Sequence, residues 1–234
     1  MHKINIPTYV DERSLQRRGR IKIFDSIDPS RTAHIIVDLQ NGFMAPGQPS
    51  EIVTAREIVP NVNSISAACR ANGALNVFLQ HTIDATAHQT WPIWFDYFSN
   101  AERRQRMDDA FAEGSFGHQL WPGLEVTDAD LKVKKSRFGA FVEGSSNLHA
   151  ILQERGIDTL IITGTATNVC CESTARDAMM MNYKVIFVAD GCATHTDAEH
   201  NGTLGNMRSI FADVRTAAEV VGLLDQKNVT QAAE

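Results

Sequence analysis

The chain has 234 residues, 43% of them apolar, and a formal net charge of -6. This composition supports one large domain with a substantial core and argues against disorder. The acidic balance gives no electrostatic footprint for nucleic acid, and the one basic run, Arg17-Arg18-Gly19-Arg20, reads as a solvated part of an N-terminal arm.

Residues 1–30 are read as that arm. The run His34 to Val37 is a buried strand ending at Asp38. Residues 55–72 have helical spacing, with Ile58, Val62, Ile65 and Cys69 three or four apart, and Asn72-Gly73 closes the helix. Leu75 to His81 is a second strand. Residues 83–125 then break the pattern. They hold all three tryptophans (Trp91, Trp94, Trp121) and Phe95, Phe98, Phe111 and Phe116. A connection this long is read as an active-site cover or an oligomer contact. Leu131 to Lys135 is a third strand, and Ser145 to Arg155 a helix stopped by Gly156. Thr159 to Thr163 is a fourth strand, followed by a helix from Val169 to Asn182. Lys184 to Ala189, a helix over 197–210, a short strand at Ala212 to Arg215 and a helix ending near Leu224 complete the series, with 227–234 as a tail. Strand–helix alternation with compact apolar strands predicts an α/β fold. The expected architecture is a three-layer α-β-α sandwich with a mostly parallel, six-stranded Rossmann-like sheet, in one domain over 31–226.

Four cysteines (Cys69, Cys170, Cys171, Cys192) make a poor disulfide framework, and no spacing is C-x-x-C. No apolar run approaches the roughly 18 residues of a membrane span, and the N-terminus lacks the apolar core of a signal peptide. The expectation is a cytoplasmic protein with free thiols, no membrane partner and no nucleic-acid partner.

In parallel α/β sheets, ligands bind beyond the carboxyl ends of the strands. The first strand ends at Asp38, the third at Lys135, and the fourth leads through Gly164 to Cys170. A carboxylate, an ammonium and a thiol converging there are the parts of a nucleophilic site: the thiolate attacks, the cation favours its ionised form, and the carboxylate shuttles the proton. Asn168 reads as an N-cap, which puts Cys170 in the first helical turn, where the helix dipole lowers a thiol pKa and backbone N–H groups can hold an oxyanion. Cys171 points about 100° further round the helix, so one thiol is a nucleophile and the other packs. Geometry favours Cys170 without deciding the matter.

The stretch Thr163-Gly-Thr-Ala-Thr-Asn-Val-Cys170-Cys-Glu-Ser-Thr-Ala-Arg-Asp-Ala178 resembles the nucleophile motif of the isochorismatase-like cysteine hydrolases. Ile35-Ile-Val-Asp38-Leu-Gln-Asn-Gly-Phe43 is similar to that family's first-strand motif, and Lys135-Ser-Arg-Phe-Gly-Ala-Phe141 to its lysine motif. The resemblance covers about residues 30–225, with the three motifs in family order. It implies Cys170 as nucleophile, Asp38 as proton acceptor and activator of water, and Lys135 as the cation that holds both. It also implies a non-proline cis peptide at Thr165-Ala166 and an oxyanion hole from the backbone N–H groups of Ala166 and Cys170.

Within the family, the wording around Cys170 is most similar to the ureidoacrylate amidohydrolases and to the N-carbamoylsarcosine amidase type. This implies a cofactor-free hydrolase that cleaves a C–N bond in a small amide, ureido or carbamoyl compound through a covalent acyl-enzyme, releasing ammonia or carbamate. Asn41 and Gln80 are candidate polar contacts, and Phe43, Trp91 and Phe138 candidate walls. The alternatives are an isochorismatase-type C–O hydrolase, which does not need the cysteine, a nicotinamidase-like amidase, and a non-catalytic binding protein of the same fold. The Asp that nicotinamidases carry two residues before a metal-binding His is missing at Leu79, so no metal is expected, and His81 and His88 are read as loop histidines with ordinary hydrogen bonds. His195 and His200 are read as solvated or helix-capping. The resemblance and the aromatic insertion together suggest a homodimer or homotetramer.

Overall fold

The computed structural model describes residues 1–231, with side chains described through residue 226. Helix α1 (Thr8–Arg18) precedes the sheet. The sheet is built from β1 (Thr32–Val37), β2 (Leu75–His81), β3 (Leu131–Lys135), β4 (Thr159–Thr165), β5 (Lys184–Ala193) and β6 (Asp213–Arg215). Their order is β3-β2-β1-β4-β5-β6, and every pairing is parallel. The chain winds outward from β1 to β3 and then returns to lay β4 on the other side of β1. The crevice between β1 and β4 is therefore the switch point where such sheets bind ligands.

The sheet is buried on both faces because its strands alternate. Ala33, Ile35, Val37, Leu160, Ile162, Val185 and Phe187 face one way, under Leu148, Leu152, Ala175, Ala178 and Leu204. Ile161, Ile186 and Val188 face the other, under Ile65, Cys69, Val220 and Leu224. The first cover is α7 (Leu148–Glu154), α8 (Glu172–Met180) and α9 (Asp197–Asn206); the second is α3 (Val59–Asn72) and α10 (Ala217–Gln231). Short helices α2 (Asn41–Met44), α4 (Ala87–Thr90), α5 (Pro92–Tyr97) and α6 (Ala101–Phe111) gather above the carboxyl ends of the strands. There they build a third apolar cluster around Phe43, Phe78, Phe95, Met107 and Phe111. The insertion thus packs into a core that it shares with β1 (Ile36), β2 (Phe78), α2 (Phe43, Met44) and α3 (Val59, Val62). Among the described residues, no helix is long and apolar enough to cross a membrane.

Several boundaries differ from those read in sequence. β4 and β5 run on to Thr165 and Ala193. Gly164 (φ 121°) makes this possible: it pairs with Val37 and Cys192 across a register shift, and a Cβ there would lie 2.1 Å from the Val37 carbonyl oxygen. Residues 167–171 form a π-helical turn ahead of α8, and 207–211 another after α9, where continuous helices were expected. Helix α10 continues to Gln231, into the expected tail, and residues 232–234 lie outside the described residues. The arm is also no solvated string. Helix α1 buries Val10 and Ser14, and Arg18 donates to the carbonyls of Ile21 and Arg208, each at 2.9 Å.

Candidate active site

At the end of β1, Asp38 adopts a left-handed backbone (φ 52°), and the Gln40 N–H turns back to its carbonyl at 2.8 Å. Aspartate tolerates that region better than the β-branched residues before it. The chain thereby leaves the sheet plane at once, and Gln40, itself fully buried, locks the exit. Its amide donates to the carbonyls of His81 and His118 at 3.1 and 3.0 Å and accepts the His81 N–H at 2.7 Å.

Lys135 is the last residue of β3, two strands away from Asp38. Its ammonium reaches across β2 to Asp38 Oδ2 at 2.7 Å and also donates to the Arg137 carbonyl at 3.0 Å. Both side chains of this ion pair are fully buried. Neither carboxylate oxygen receives a well-aligned hydrogen bond, so charge and contact hold the pair. Burial raises the Asp38 pKa, with Lys135 and Cys170 pulling the other way. Burial also works against the charge on Lys135, but Asp38 and Cys170 more than offset it and keep the ammonium above its ordinary value.

The Cys170 thiol completes the group, within hydrogen-bonding reach of both Asp38 and Lys135. Its pKa does not fall as the helix-dipole argument predicted. Burial pushes it up to about 12, Lys135 lowers it and Asp38 raises it. Desolvation of a thiolate in an apolar wall outweighs a half-charge at a helix end. Asn168 is not the cap either: the turn starts at Ala166 without a side-chain cap, and Asn168 Oδ1 instead accepts the Thr194 hydroxyl at 2.7 Å. The Thr165-Ala166 peptide is cis. Cys171 is fully buried in the core with its Sγ 4.0 Å from the Thr163 carbonyl.

Above Cys170 lies a cavity of about 340 Å³, lined by Phe43, Ile52, Trp94, Met107, Phe138 and Val169 among the apolar groups, with Ala166 at the turn. Its polar lining includes His81, Arg103, Glu51 and His195. The Glu51 carboxylate is taken up by Arg56 at 3.0 Å and by the Gly47 N–H. The Arg103 guanidinium meets only the Pro49 carbonyl, at 3.0 Å, among the described residues.

Of the sequence-derived contacts, Phe43, Phe138, Ala166 and Cys170 line this cavity. Trp91 stands one layer behind, packed edge-to-face on Phe138 and stacked on Trp94, while Arg137 covers its ring and donates to the Thr90 carbonyl. Asn41 and Gln80 are not on the cavity. Asn41 donates to the Phe116 carbonyl at 3.0 Å, and Gln80 to the His118 carbonyl at 2.9 Å. Strand alternation explains Gln80: the neighbouring residue, His81, is the one turned to the cavity. Sequence reasoning missed Trp94, Met107, Arg103 and the framing role of Gln40. Trp94 is one helical turn from Trp91, a choice that only packing settles.

Of the histidines, His81 and His200 depart from expectation, while His88 makes the ordinary hydrogen bond expected of it. His81 ends a strand, is buried, and has no partner for Nδ1; burial, with Lys135 next, holds its pKa well below the ordinary value. His88 meets Asp108 at 2.9 Å and stacks on Phe95. His200 is buried against Thr167 rather than solvated or capping. Thr196 caps α9 instead, accepting the Glu199 N–H at 3.2 Å. Among the described residues, no group of three or more His, Cys, Asp or Glu is arranged to hold a metal ion.

The isochorismatase domain family matches residues 32–219. A ureidoacrylate amidohydrolase, RutB, of Caulobacter vibrioides is 30% identical over 217 residues, 86% of this chain and 94% of that one. A cysteine hydrolase of Pseudomonas syringae pv. phaseolicola has a solved structure with a TM-score of 0.75 at 26% identity, covering 88% of this chain and 97% of that one. An N-carbamoylsarcosine amidase of Thermoplasma acidophilum shares the fold, with a TM-score of 0.63 at 22% identity and coverage of 80% and 96%.

Proposed function

The chain belongs to the isochorismatase family of hydrolases, and we propose that within it this chain is a cysteine-dependent amidohydrolase acting on a small ureido or amide acid. The observation that carries this reading is the contact of Cys170, under an apolar cavity, with a buried Asp38–Lys135 ion pair.

The high thiol pKa sets the order of events. The resting sulfur is protonated, so attack on the substrate carbonyl is coupled to transfer of the Sγ proton to Asp38. Burial raises the Asp38 pKa and makes the carboxylate a better base for that transfer. Lys135 keeps a cation beside the two groups throughout, so the proton moves between neighbours without leaving an uncompensated charge. The carbonyl oxygen becomes an oxyanion, received by the backbone N–H groups of Ala166 and Cys170. Asp38 then returns the proton to the leaving nitrogen as the C–N bond breaks, and a thioester or thiocarbamate remains on Cys170. Water enters, gives a proton to Asp38, and adds to the same carbon. Collapse breaks the C–S bond and restores the thiol.

Two features support the substrate class. The relative from Caulobacter is a ureidoacrylate amidohydrolase, and Arg103, whose guanidinium meets only a carbonyl among the described residues, offers a cation at the cavity wall for a carboxylate. Trp94, Phe138 and Met107 supply apolar walls of the same cavity that Arg103 and Cys170 line.

The test is ammonia release from 3-ureidoacrylate, N-carbamoyl amino acids, biuret and nicotinamide, with and without a chelator. Release insensitive to chelator, strongest with the ureido acids, is expected. Cys170→Ala should lose at least roughly a thousandfold in turnover, while Cys171→Ala keeps most of it. Turnover that survives Cys170→Ala would replace this reading with a C–O hydrolase of the isochorismatase type.

A further inference from the structure

His2 lies outside the matched family span of residues 32–219. Its side chain is nevertheless only 3% exposed. Its Nε2 accepts the Thr194 backbone N–H at 3.0 Å, Nδ1 meets Asp197 Oδ1 at 2.8 Å, and the ring stacks on His200 with centroids 4.4 Å apart. An acceptor at Nε2 fixes the neutral tautomer, with the proton on Nδ1 facing the carboxylate.

Both neighbours pass the contact on toward Cys170. His200 Nδ1 meets Thr167 Oγ1 at 3.0 Å, and Thr167 opens the π-helical turn that carries the cysteine. The Thr194 hydroxyl donates to Asn168 Oδ1 at 2.7 Å, its carbonyl accepts from the Thr54 hydroxyl at 2.6 Å, and the next residue, His195, lines the cavity. One imidazole from the N-terminal arm thus ties together the two backbone segments that frame Cys170.

We propose that His2 is a positioning residue for the reaction at Cys170, clamping the 165–171 and 193–196 segments so that the oxyanion donors and the cavity wall hold their places. The inference rests on the reading of Cys170 as the nucleophile. Displacing such donors by about 1 Å costs on the order of a hundredfold in rate.

The test compares His2→Ala, His2→Gln and the arm control Arg20→Ala, whose exposed partner is Asp25, by hydrogen exchange and kinetics. In His2→Ala, exchange in 165–171 and 193–196 should speed up roughly tenfold, and kcat should fall roughly tenfold with KM changed by less than about threefold. His2→Gln supplies a side-chain carbonyl acceptor for the Thr194 N–H; it should restore both. Arg20→Ala should match the parent. Unchanged exchange in His2→Ala, or failure of His2→Gln to restore it, overturns the proposal. Exchange needs no substrate, so a silent ammonia panel would count against the amidohydrolase reading and leave this one to be decided by exchange.

Discussion

At the scale of single residues, the site depends on placing two opposite charges where water cannot reach them. Asp38 and Lys135 are fully buried at 2.7 Å. A buried pair of this kind adds little net stability, but removing one partner strands the other and costs about 3–5 kcal/mol. Lys135→Met should therefore lose turnover and lower stability by about that amount in denaturant melts. The double variant Lys135→Met/Asp38→Leu should recover much of the stability and none of the activity. Equal stability in the single variant and the parent would mean the pair is not charged. Cys170 and Cys171 make the complementary point. They are adjacent and both buried, yet of the two only Cys170 reaches the ion pair and the cavity, because successive residues of the π-helical turn point in different directions round its axis.

At the scale of elements, alternation along strands sorts chemistry from packing. In β1 the odd-numbered residues Ala33, Ile35 and Val37 pack in one layer, while His34 turns to the other and meets Thr163 at 2.8 Å and Ser66 at 3.2 Å. Burial lowers the His34 pKa to about 3. The unfolded chain takes up that proton near 6.5, so between the two values the unfolded state binds more protons and acid favours it. Stability tied to His34 is complete above the unfolded value and declines as pH falls toward the folded one. At pH 5 the loss from this group is about 2 kcal/mol, from a shift to about 3. His34→Gln should show a shallower fall in Tm between pH 7.5 and 5, whatever its stability at neutral pH; an unchanged slope would mean His34 is not held neutral. The same alternation turned Gln80 away and His81 inward, so the contact read from sequence was one residue off.

At the scale of the whole molecule, the cavity exists only where the 83–125 insertion closes over the carboxyl ends of the strands. The strand ends bring the buried Asp38–Lys135 pair to Cys170 at its floor, while the insertion supplies Trp94, Arg103 and Met107 to its lining. Trp94→Ala should therefore raise KM roughly tenfold, about 1.4 kcal/mol, and change kcat little, as expected of a cavity wall outside the Asp38–Lys135–Cys170 group. A fall in kcat alone would move Trp94 out of the wall. Sequence by itself determined the α/β layering, the strand positions and the convergence of Asp38, Lys135 and Cys170 at the carboxyl edge. Those depend on periodicity and on the fixed direction of parallel strands. It did not give the thiol's environment, the choice between Trp91 and Trp94, the inward turn of His81 or the docking of His2. Each of these depends on which surfaces exclude water from a group, and on contacts between segments far apart in the chain; His2 and Thr194 meet across 192 positions. Local pattern carries no record of such contacts, so only tertiary packing decided them.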